Sequence, residues 1–367
     1  MIPVTKPYLP NREKLKQYID GIYERQWLTN NGQLVQELTR RLEVYLGVEN
    51  LLLVANGTLA LQIAYRALGV SDSRPEQHPE AITTPFTFIA TASSLKWVGV
   101  QPVFADIDPE TWCLAPNNIE TAITPNTRAI VPVHVFGNAC DVEAIDEIAR
   151  KHNLKVIYDA SHAFGVKYKS ESLLKHGDAA TLSFHATKLF HTGEGGAIVF
   201  KRKEDLERAK KMINFGITGP EEINELGINA KMNELQAAMG LCVLDEIDVN
   251  LKARAQVDEL YASKLPDSLQ LQRRNSYSTA NYAYIPVVMN SEEQTKTFIN
   301  KLKDNGILAR RYFCPSLDQV DLGWQRSQPL QNSLEISSRI ICLPMYCDIP
   351  NSVLETISAI AIEVVNQ

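Results

Sequence analysis

What this 367-residue chain lacks closes off several classes of function. Its six cysteines (Cys113, Cys140, Cys242, Cys314, Cys342 and Cys347) include no C-x-x-C pair and have no histidine at zinc spacing. Neither a metal site nor a disulfide framework is therefore expected, and the thiols are expected to be reduced. No apolar run approaches the ~20 residues that a membrane helix needs. The opening Met1-Ile2-Pro3-Val4-Thr5-Lys6-Pro7 also lacks the basic-then-apolar layout of a secretory leader, so no membrane association and a cytoplasmic location are expected. Positive charge is not in surplus either. Lys+Arg 37 against Asp+Glu 43 gives a net charge of -6, spread along the chain, and no nucleic-acid partner is expected. There is no internal repeat and no low-complexity tract. No G-x-G-x-x-G follows the first apolar run, which argues against a dinucleotide site.

What is present is a chain 45% hydrophobic and long enough for two or three domains. After an irregular, Pro-marked opening, Gln33 to Leu46 carries Leu34, Leu38, Leu42 and Tyr45 at helical spacing. Leu51 to Ala55 reads as a strand, Asn56-Gly57-Thr58 as a tight turn, and Leu59 to Gly69 as a helix. The alternation continues with strands at Ala81–Thr84, Val100–Asp106, Ala129–Val135 and Val156–Tyr158, the last ending in Asp159. Helices lie between them: Phe86 to about Trp97, Asn117–Ile123 and Val142–His152. Two further strands, Ala179–Ser183 and Ala197–Phe200, follow. Short, nearly uninterrupted apolar strands separated by helices indicate an α/β fold, a mainly parallel sheet covered on both faces, whose ligands collect at the strands' carboxyl ends. Met232–Ile247 and Arg254–Leu265 read as long helices leading into a smaller α+β unit. That unit has strands at Tyr282–Met289, Ile307–Phe313 and Ile340–Leu343 and helices at Glu292–Asn305 and Ser352–Val365, with Gln272–Ala280 a loop. The expected division is a large domain over 1–247 and a small one over 248–367.

The segment Ser183-Phe184-His185-Ala186-Thr187-Lys188, followed by Gly193-Glu194-Gly195-Gly196, places a lysine in a loop between two strands. A lysine amine becomes useful for imine chemistry when burial or a neighbouring charge lowers its pKa. The strand-turn-helix at Gly57-Thr58 exposes unpaired helix N-terminal amides suited to an anion. Asp159 is a carboxylate at a strand end, and Phe88 an aromatic just past another. Taken singly, Thr58 also fits a plain helix cap, Asp159 a turn former, Phe88 a core residue and Ser183 a strand residue. Together, in this order, they describe a site for pyridoxal 5′-phosphate. Lys188 forms the imine, Asp159 keeps the pyridine nitrogen protonated, Gly57, Thr58 and Ser183 hold the phosphate, and Phe88 covers the ring.

Four segments in this order, Asn56-Gly57-Thr58-Leu59-Ala60-Leu61, Tyr158-Asp159-Ala160-Ser161-His162-Ala163-Phe164-Gly165, the Lys188 loop and Asn229-Ala230-Lys231-Met232-Asn233-Glu234-Leu235-Gln236-Ala237-Ala238, resemble the DegT/DnrJ/EryC1/StrS family of sugar aminotransferases. The resemblance runs from Trp27 to Phe313. It implies a fold-type I transferase, similar to aspartate aminotransferase, and a homodimer with active sites at the subunit interface. The substrates it implies are L-glutamate and a nucleotide-linked ketosugar of deoxyamino-sugar and polysaccharide biosynthesis. By motif position, it adds His162 beside the cofactor ring and Asn229 as a residue that reaches the neighbouring subunit's phosphate; many members have Gln where His162 stands. His185 and Tyr312 are candidate substrate neighbours. A branch of the family replaces the lysine by histidine and dehydrates, and Lys188 sets this chain apart from it. Pro85-Phe86-Thr87-Phe88, His134-Val135-Phe136-Gly137, Asn229-Ala230-Lys231-Met232 and Arg310-Arg311-Tyr312-Phe313 look most like enzymes that aminate C-4 of dTDP-4-keto-6-deoxyglucose. C-3 amination, a GDP- or UDP-linked sugar, and a regulatory protein that keeps the fold stay open as alternatives.

Overall fold

The computed structural model describes residues 1–72 and 78–367. The chain opens with α1 (Arg12–Arg25) and α2 (Gln33–Leu46). It then alternates through β1 (Leu51–Val54), α3 (Gly57–Ala67), β2 (Glu80–Thr83), α4 (Ile89–Trp97), β3 (Gln101–Phe104), α5 (Pro116–Ala122), β4 (Thr127–Ile130), α6 (Val142–His152) and β5 (Lys155–Asp159). A small hairpin, β6 (Lys167–Tyr168) and β7 (Glu171–Ser172), precedes β8 (Ala179–Ser183) and β9 (Gly196–Phe200). Next come α7 (Lys203–Met212), a second hairpin of β10 (Ile217–Gly219) and β11 (Glu222–Ile223), and helices α8 (Glu234–Asp245) and α9 (Ile247–Lys264). The last third holds β12 (Gln270–Leu271), β13 (Ile285–Val288), α10 (Glu292–Asp304), β14 (Gln325–Arg326), α11 (Gln331–Arg339), β15 (Ile340–Leu343) and α12 (Asn351–Val365).

The central sheet has eight strands in the order β1-β9-β8-β5-β4-β2-β3-β14. Among the described residues β9 alone runs against the rest, pairing antiparallel with both β1 and β8. Apart from the short, exposed edge strand β14, the strands are buried along nearly their whole length, as both-face coverage requires. One face carries a large apolar cluster that includes Leu38, Leu42, Ile130 and Phe184, and the other a cluster with Ala64, Tyr65, Leu95 and Ile198. A third cluster lies around the antiparallel sheet β12-β13-β15, where Val257, Phe298 and Ile357 from α9, α10 and α12 pack together. From the same last third, β14 leaves to pair in parallel with β3, Gln325 against Val103.

Several sequence expectations are corrected. The opening is not irregular throughout: α1 forms there, capped by Asn11, whose side chain accepts from Lys14 N. The strand expected over Ala129–Val135 ends at Ile130, because Pro132 has no N–H to continue a ladder, and Val135–Gly137 makes a 3-10 turn. The helix expected from Phe86 starts at Ile89, with Phe88 as its N-cap. Ile307–Phe313 is not a strand; its backbone makes isolated bridges, Ile2 to Ile307 and Arg310 to Cys342. The long helix expected over Met232–Ile247 gives way at Glu246 to α9.

Two long-range links set the N-terminal segment against the site. Glu234, fully buried at the start of α8, accepts from Leu34 N at 3.0 Å and Val35 N at 2.9 Å. It thereby satisfies the first amides of α2, whose N-cap Gly32 has no side chain to do so. His191 Nε2 lies 2.7 Å from the Tyr8 carbonyl, tying the loop after Lys188 to the segment before α1.

Candidate active site

The carboxyl ends of β1, β5 and β8 open onto one cavity of about 730 Å3. Asn56, Gly57, Thr58, Phe88, Asp159, His162, Ser183, His185, Lys188 and Tyr312 line it. Hollows of about 670 and 650 Å3 elsewhere contain neither Lys188 nor Asp159, so chemistry rather than size marks the site.

Lys188 sits in a turn closed by its own N–H donating to the His185 carbonyl at 2.9 Å. Its Nζ donates to the Tyr284 hydroxyl at 3.3 Å, and no carboxylate touches it among the described residues. Burial pushes its pKa below 10.5, against the opposing pull of Asp159 and Tyr312. The amine is therefore easier to deprotonate than a solvated lysine, as imine formation needs.

Asp159, 6% exposed, is held at both oxygens. Oδ2 accepts from Thr91 Oγ1 at 2.7 Å and Oδ1 from Ser161 N at 3.1 Å, while Thr87 Oγ1 lies 2.9 Å from Thr91 Oγ1. A hydroxyl from α4 thus aims a carboxylate from β5.

The third element is the first turn of α3. Asn56 caps it by accepting from Leu59 N at 2.9 Å, which leaves the earliest amides of the helix free of intrahelical partners. Ser183, at the end of β8, abuts this turn so closely that a Cβ on Gly57 would lie 2.8 Å from Ser183 Cβ. At Gly196 a Cβ would come within 2.7 Å of the Asn56 carbonyl group. Two glycines let strand ends and helix N-terminus meet, and the open amides with the Thr58 and Ser183 hydroxyls make a cradle for a phosphate-sized anion.

His162 is buried, and its Nδ1 accepts from Phe136 N at 3.2 Å, which puts the proton of the neutral ring on Nε2. Burial first, then Lys188, lowers its pKa well below 6.5. Its ring lies 4.6 Å from that of Tyr284 and parallel to Phe136 and Phe313. Phe88 is 52% exposed, an apolar face turned to the cavity rather than the core. His185 lines the rim, its Nδ1 2.8 Å from Thr187 Oγ1 and its Nε2 3.7 Å from Glu194. Tyr312 reaches the cavity from the C-terminal third, and burial raises its pKa. Asn229 is not brought to this cavity; it is exposed and bridges to Asn214 beside the second hairpin.

Sequence reading gave no site role to Thr87, Thr91, Tyr284 or Arg310, although Thr87 and Arg310 fall within segments that carry the resemblance. Thr91 stands 68 residues from Asp159 and Tyr284 stands 96 from Lys188, separations at which no local spacing carries a signal. The donor set fits pyridoxal 5′-phosphate: a lysine of lowered pKa, a fixed carboxylate, and an anion cradle that a Cβ at Gly57 would fill. No cluster of His, Cys, Asp or Glu suited to a metal ion occurs among the described residues.

Comparison with known proteins gives the same direction. The model of the DegT/DnrJ/EryC1/StrS aminotransferase family matches residues 10–361. The chain is 43% identical to a dTDP-4-amino-4,6-dideoxy-D-glucose transaminase of Shigella dysenteriae, over 96% of each chain. It is 34% identical to a transaminase of the same name from Escherichia coli, over 97% of each. Among solved structures it is similar to DesI in the presence of its TDP-sugar product, with a TM-score of 0.90 and 30% identity, covering 99% of this chain and 93% of that one.

Proposed function

Because this chain belongs to the DegT/DnrJ/EryC1/StrS aminotransferase family, we propose that it moves an amino group from L-glutamate to C-4 of dTDP-4-keto-6-deoxyglucose, with pyridoxal 5′-phosphate as cofactor. The products are 2-oxoglutarate and dTDP-4-amino-4,6-dideoxyglucose. The observation that carries the reading is the convergence of Lys188, Asp159 and the α3 cradle on one cavity. The names of the two transaminase relatives support the sugar and its nucleotide.

Bound there, the cofactor supplies an electron sink for the carbon being deprotonated and a carrier for the amino group. The cradle of Gly57, Thr58 and Ser183 fixes the phosphate. Asp159, aimed by Thr91, favours the protonated pyridine nitrogen. Phe88 and His162 flank the ring. Lys188 Nζ takes a proton from the Cα of glutamate in one half of the reaction and delivers a proton to the sugar carbon in the other. Tyr284 gives the freed amine a hydrogen-bonding partner between these tasks, at the 3.3 Å it has now.

The protein acts as a homodimer with shared sites. Support for this comes from Asn229, which lies outside its own cavity, and from the neighbouring hairpin, which leaves Phe215, Ile217, Ile223, Leu226 and Ile228 exposed. No helix among the described residues is long and apolar enough to cross a membrane.

Borohydride treatment of protein incubated with the cofactor should fix one cofactor mass on Lys188. Release of 2-oxoglutarate from glutamate should require the ketosugar in catalytic amounts of enzyme. Trapping at another lysine, or release indifferent to the sugar, contradicts the reading.

A further inference from the structure

Helix α9 carries a cation that packing alone does not explain. Arg254 is 4% exposed and, among the described residues, faces no carboxylate. Apolar side chains of similar volume often replace buried charges at no loss of stability, so a charge kept here without a counter-ion asks for another role. Its hydrogen bonds show which. Nε donates to Asn250 Oδ1 at 3.1 Å, and Nη1 donates to the carbonyls of Tyr282 at 3.4 Å and Met345 at 3.3 Å. Asn250, one helical turn earlier on the same face and 1% exposed, donates from Nδ2 to the Leu189 carbonyl at 3.4 Å. One buried network therefore joins Leu189, next to Lys188, to Tyr282, two residues before Tyr284.

Both ends of the network meet again in the cavity, where Lys188 Nζ donates to the Tyr284 hydroxyl at 3.3 Å. The Tyr284 end needs holding. Tyr282 has a φ of 53°, a left-handed conformation that an aromatic residue enters at a cost and keeps only where its surroundings fix it. Arg254 grips its carbonyl from one side. On the other side Asn281 Oδ1 accepts from Ala283 N at 3.3 Å, while Asn281 Nδ2 donates to the His162 carbonyl at 2.8 Å. The bend so fixed at Tyr282 delivers Tyr284 to the cavity lining. The charge is felt there as well: burial raises the pKa of Tyr284, and Arg254 is among the groups that oppose the rise.

We propose that Arg254 and Asn250 are positioning residues for the amino-transfer chemistry: by holding the Tyr282 and Leu189 carbonyls to one face of α9, they set the geometry in which Tyr284 meets the Lys188 amine. In each half of the reaction the freed amine moves a proton, and its resting place at Tyr284 fixes where that transfer starts. Misplacement by about 1 Å, even from a residue far from the chemistry, costs on the order of 100-fold in rate. A guanidinium suits the task, because its planar fork reaches several acceptors in fixed directions and stays charged when buried. The inference rests on the aminotransferase reading for its kinetic part, and its hydrogen-bond part is testable on protein without cofactor.

The test compares wild type with Asn250→Ala, Arg254→Lys, Tyr284→Phe and the pair Asn250→Ala/Tyr284→Phe. In full-length protein free of cofactor, acetylation of Lys188 by acetic anhydride is followed by mass across pH. Lys188 is faced by Tyr284, Asp159, Tyr312 and the neutral His162, of which these variants alter Tyr284 alone. Tyr284→Phe removes the oxygen that accepts from the ammonium, so the titration midpoint should fall. Asn250→Ala should shift it the same way, and the pair should fall no further than Tyr284→Phe alone. Loaded with cofactor and checked by the mass trapped on Lys188, Asn250→Ala and Arg254→Lys should each lose roughly 10- to 100-fold in kcat, with KM for glutamate and for the nucleotide sugar within a few-fold. If Arg254→Lys does not fold, Asn250→Ala, which removes no charge, carries the comparison. A Lys188 midpoint unchanged in Asn250→Ala, losses that simply add in the pair, or an effect confined to KM overturns the proposal. Failure of the aminotransferase reading shows elsewhere, in wild-type protein that releases no 2-oxoglutarate, and leaves the acetylation result standing.

Discussion

Gly57→Ala tests the phosphate cradle with one added methyl group. The backbone at Gly57 lies outside the left-handed region, so alanine meets no conformational strain, and it is a better helix former than glycine. The cost comes from space. The new Cβ would lie 2.8 Å from Ser183 Cβ, 3.1 Å from its Cα and 3.2 Å from its Oγ. Favourable carbon–carbon contact begins near ~3.5 Å, so the first turn of α3 and the end of β8 must separate by roughly 0.7 Å. Overpacking of this size costs about 1–3 kcal/mol. The relief runs in the direction that opens the cradle, lengthening contacts from Ser183 or the α3 amides to a bound phosphate. Loss of one such charge-assisted bond corresponds to about 1.5–3 kcal/mol, or roughly 10- to 150-fold in affinity. Equilibrium dialysis against pyridoxal 5′-phosphate and against pyridoxal separates this from general damage. Gly57→Ala should weaken binding of the phosphorylated form selectively. The double variant Gly57→Ala/Ser183→Gly, which removes the nearest clashing atom, should recover part of the lost thermal stability. An unchanged ratio of the two affinities would refute the placement of the phosphate at α3.

Asp159→Asn should retain the cofactor and slow both half-reactions by roughly 10- to 1000-fold, the equivalent of about 1–3 pKa units lost at the ring nitrogen; wild-type rates in rapid mixing would assign that role to another group. Lys188 titrates below 10.5 when folded, so the cofactor-free folded state binds fewer protons than the unfolded chain between that lowered pKa and 10.5. Stability should therefore rise with pH across that window, and the stability difference between wild type and Lys188→Met should shrink as pH rises; a difference flat with pH in chemical denaturation contradicts the buried amine. Mixed subunits of Lys188→Ala and Asn229→Asp should regain turnover that neither parent has, since one hybrid site is intact and the introduced carboxylate repels phosphate only in the other. Exchanged, folded dimers without recovery would refute the shared site.

The parts of the site legible in the sequence are those whose chemistry and local setting coincide. Lys188 stands between two strands with glycines behind it, Asp159 closes an apolar strand, and Gly57-Thr58 follows another. The parts that were illegible depend on distant partners. Thr91 looks like any polar residue on α4 until the fold sets it under Asp159, and Tyr284 is one of 13 tyrosines until it meets Lys188. In the fold, α1 escaped because its apolar stripe is thin, with Ile22 its buried residue, behind three prolines. Ile307–Phe313 has strand-like composition but takes its shape from single bridges to Ile2 and Cys342, which no local pattern announces.

The most direct test of the central claim follows the amino group itself. Wild-type protein is incubated with cofactor, dTDP-4-keto-6-deoxyglucose and 15N-labelled L-glutamate, and the sugar product is examined by NMR. The account predicts the label on C-4, with one 2-oxoglutarate formed per aminosugar. Label on C-3, or none on this sugar while a GDP- or UDP-linked ketosugar is aminated, would contradict it.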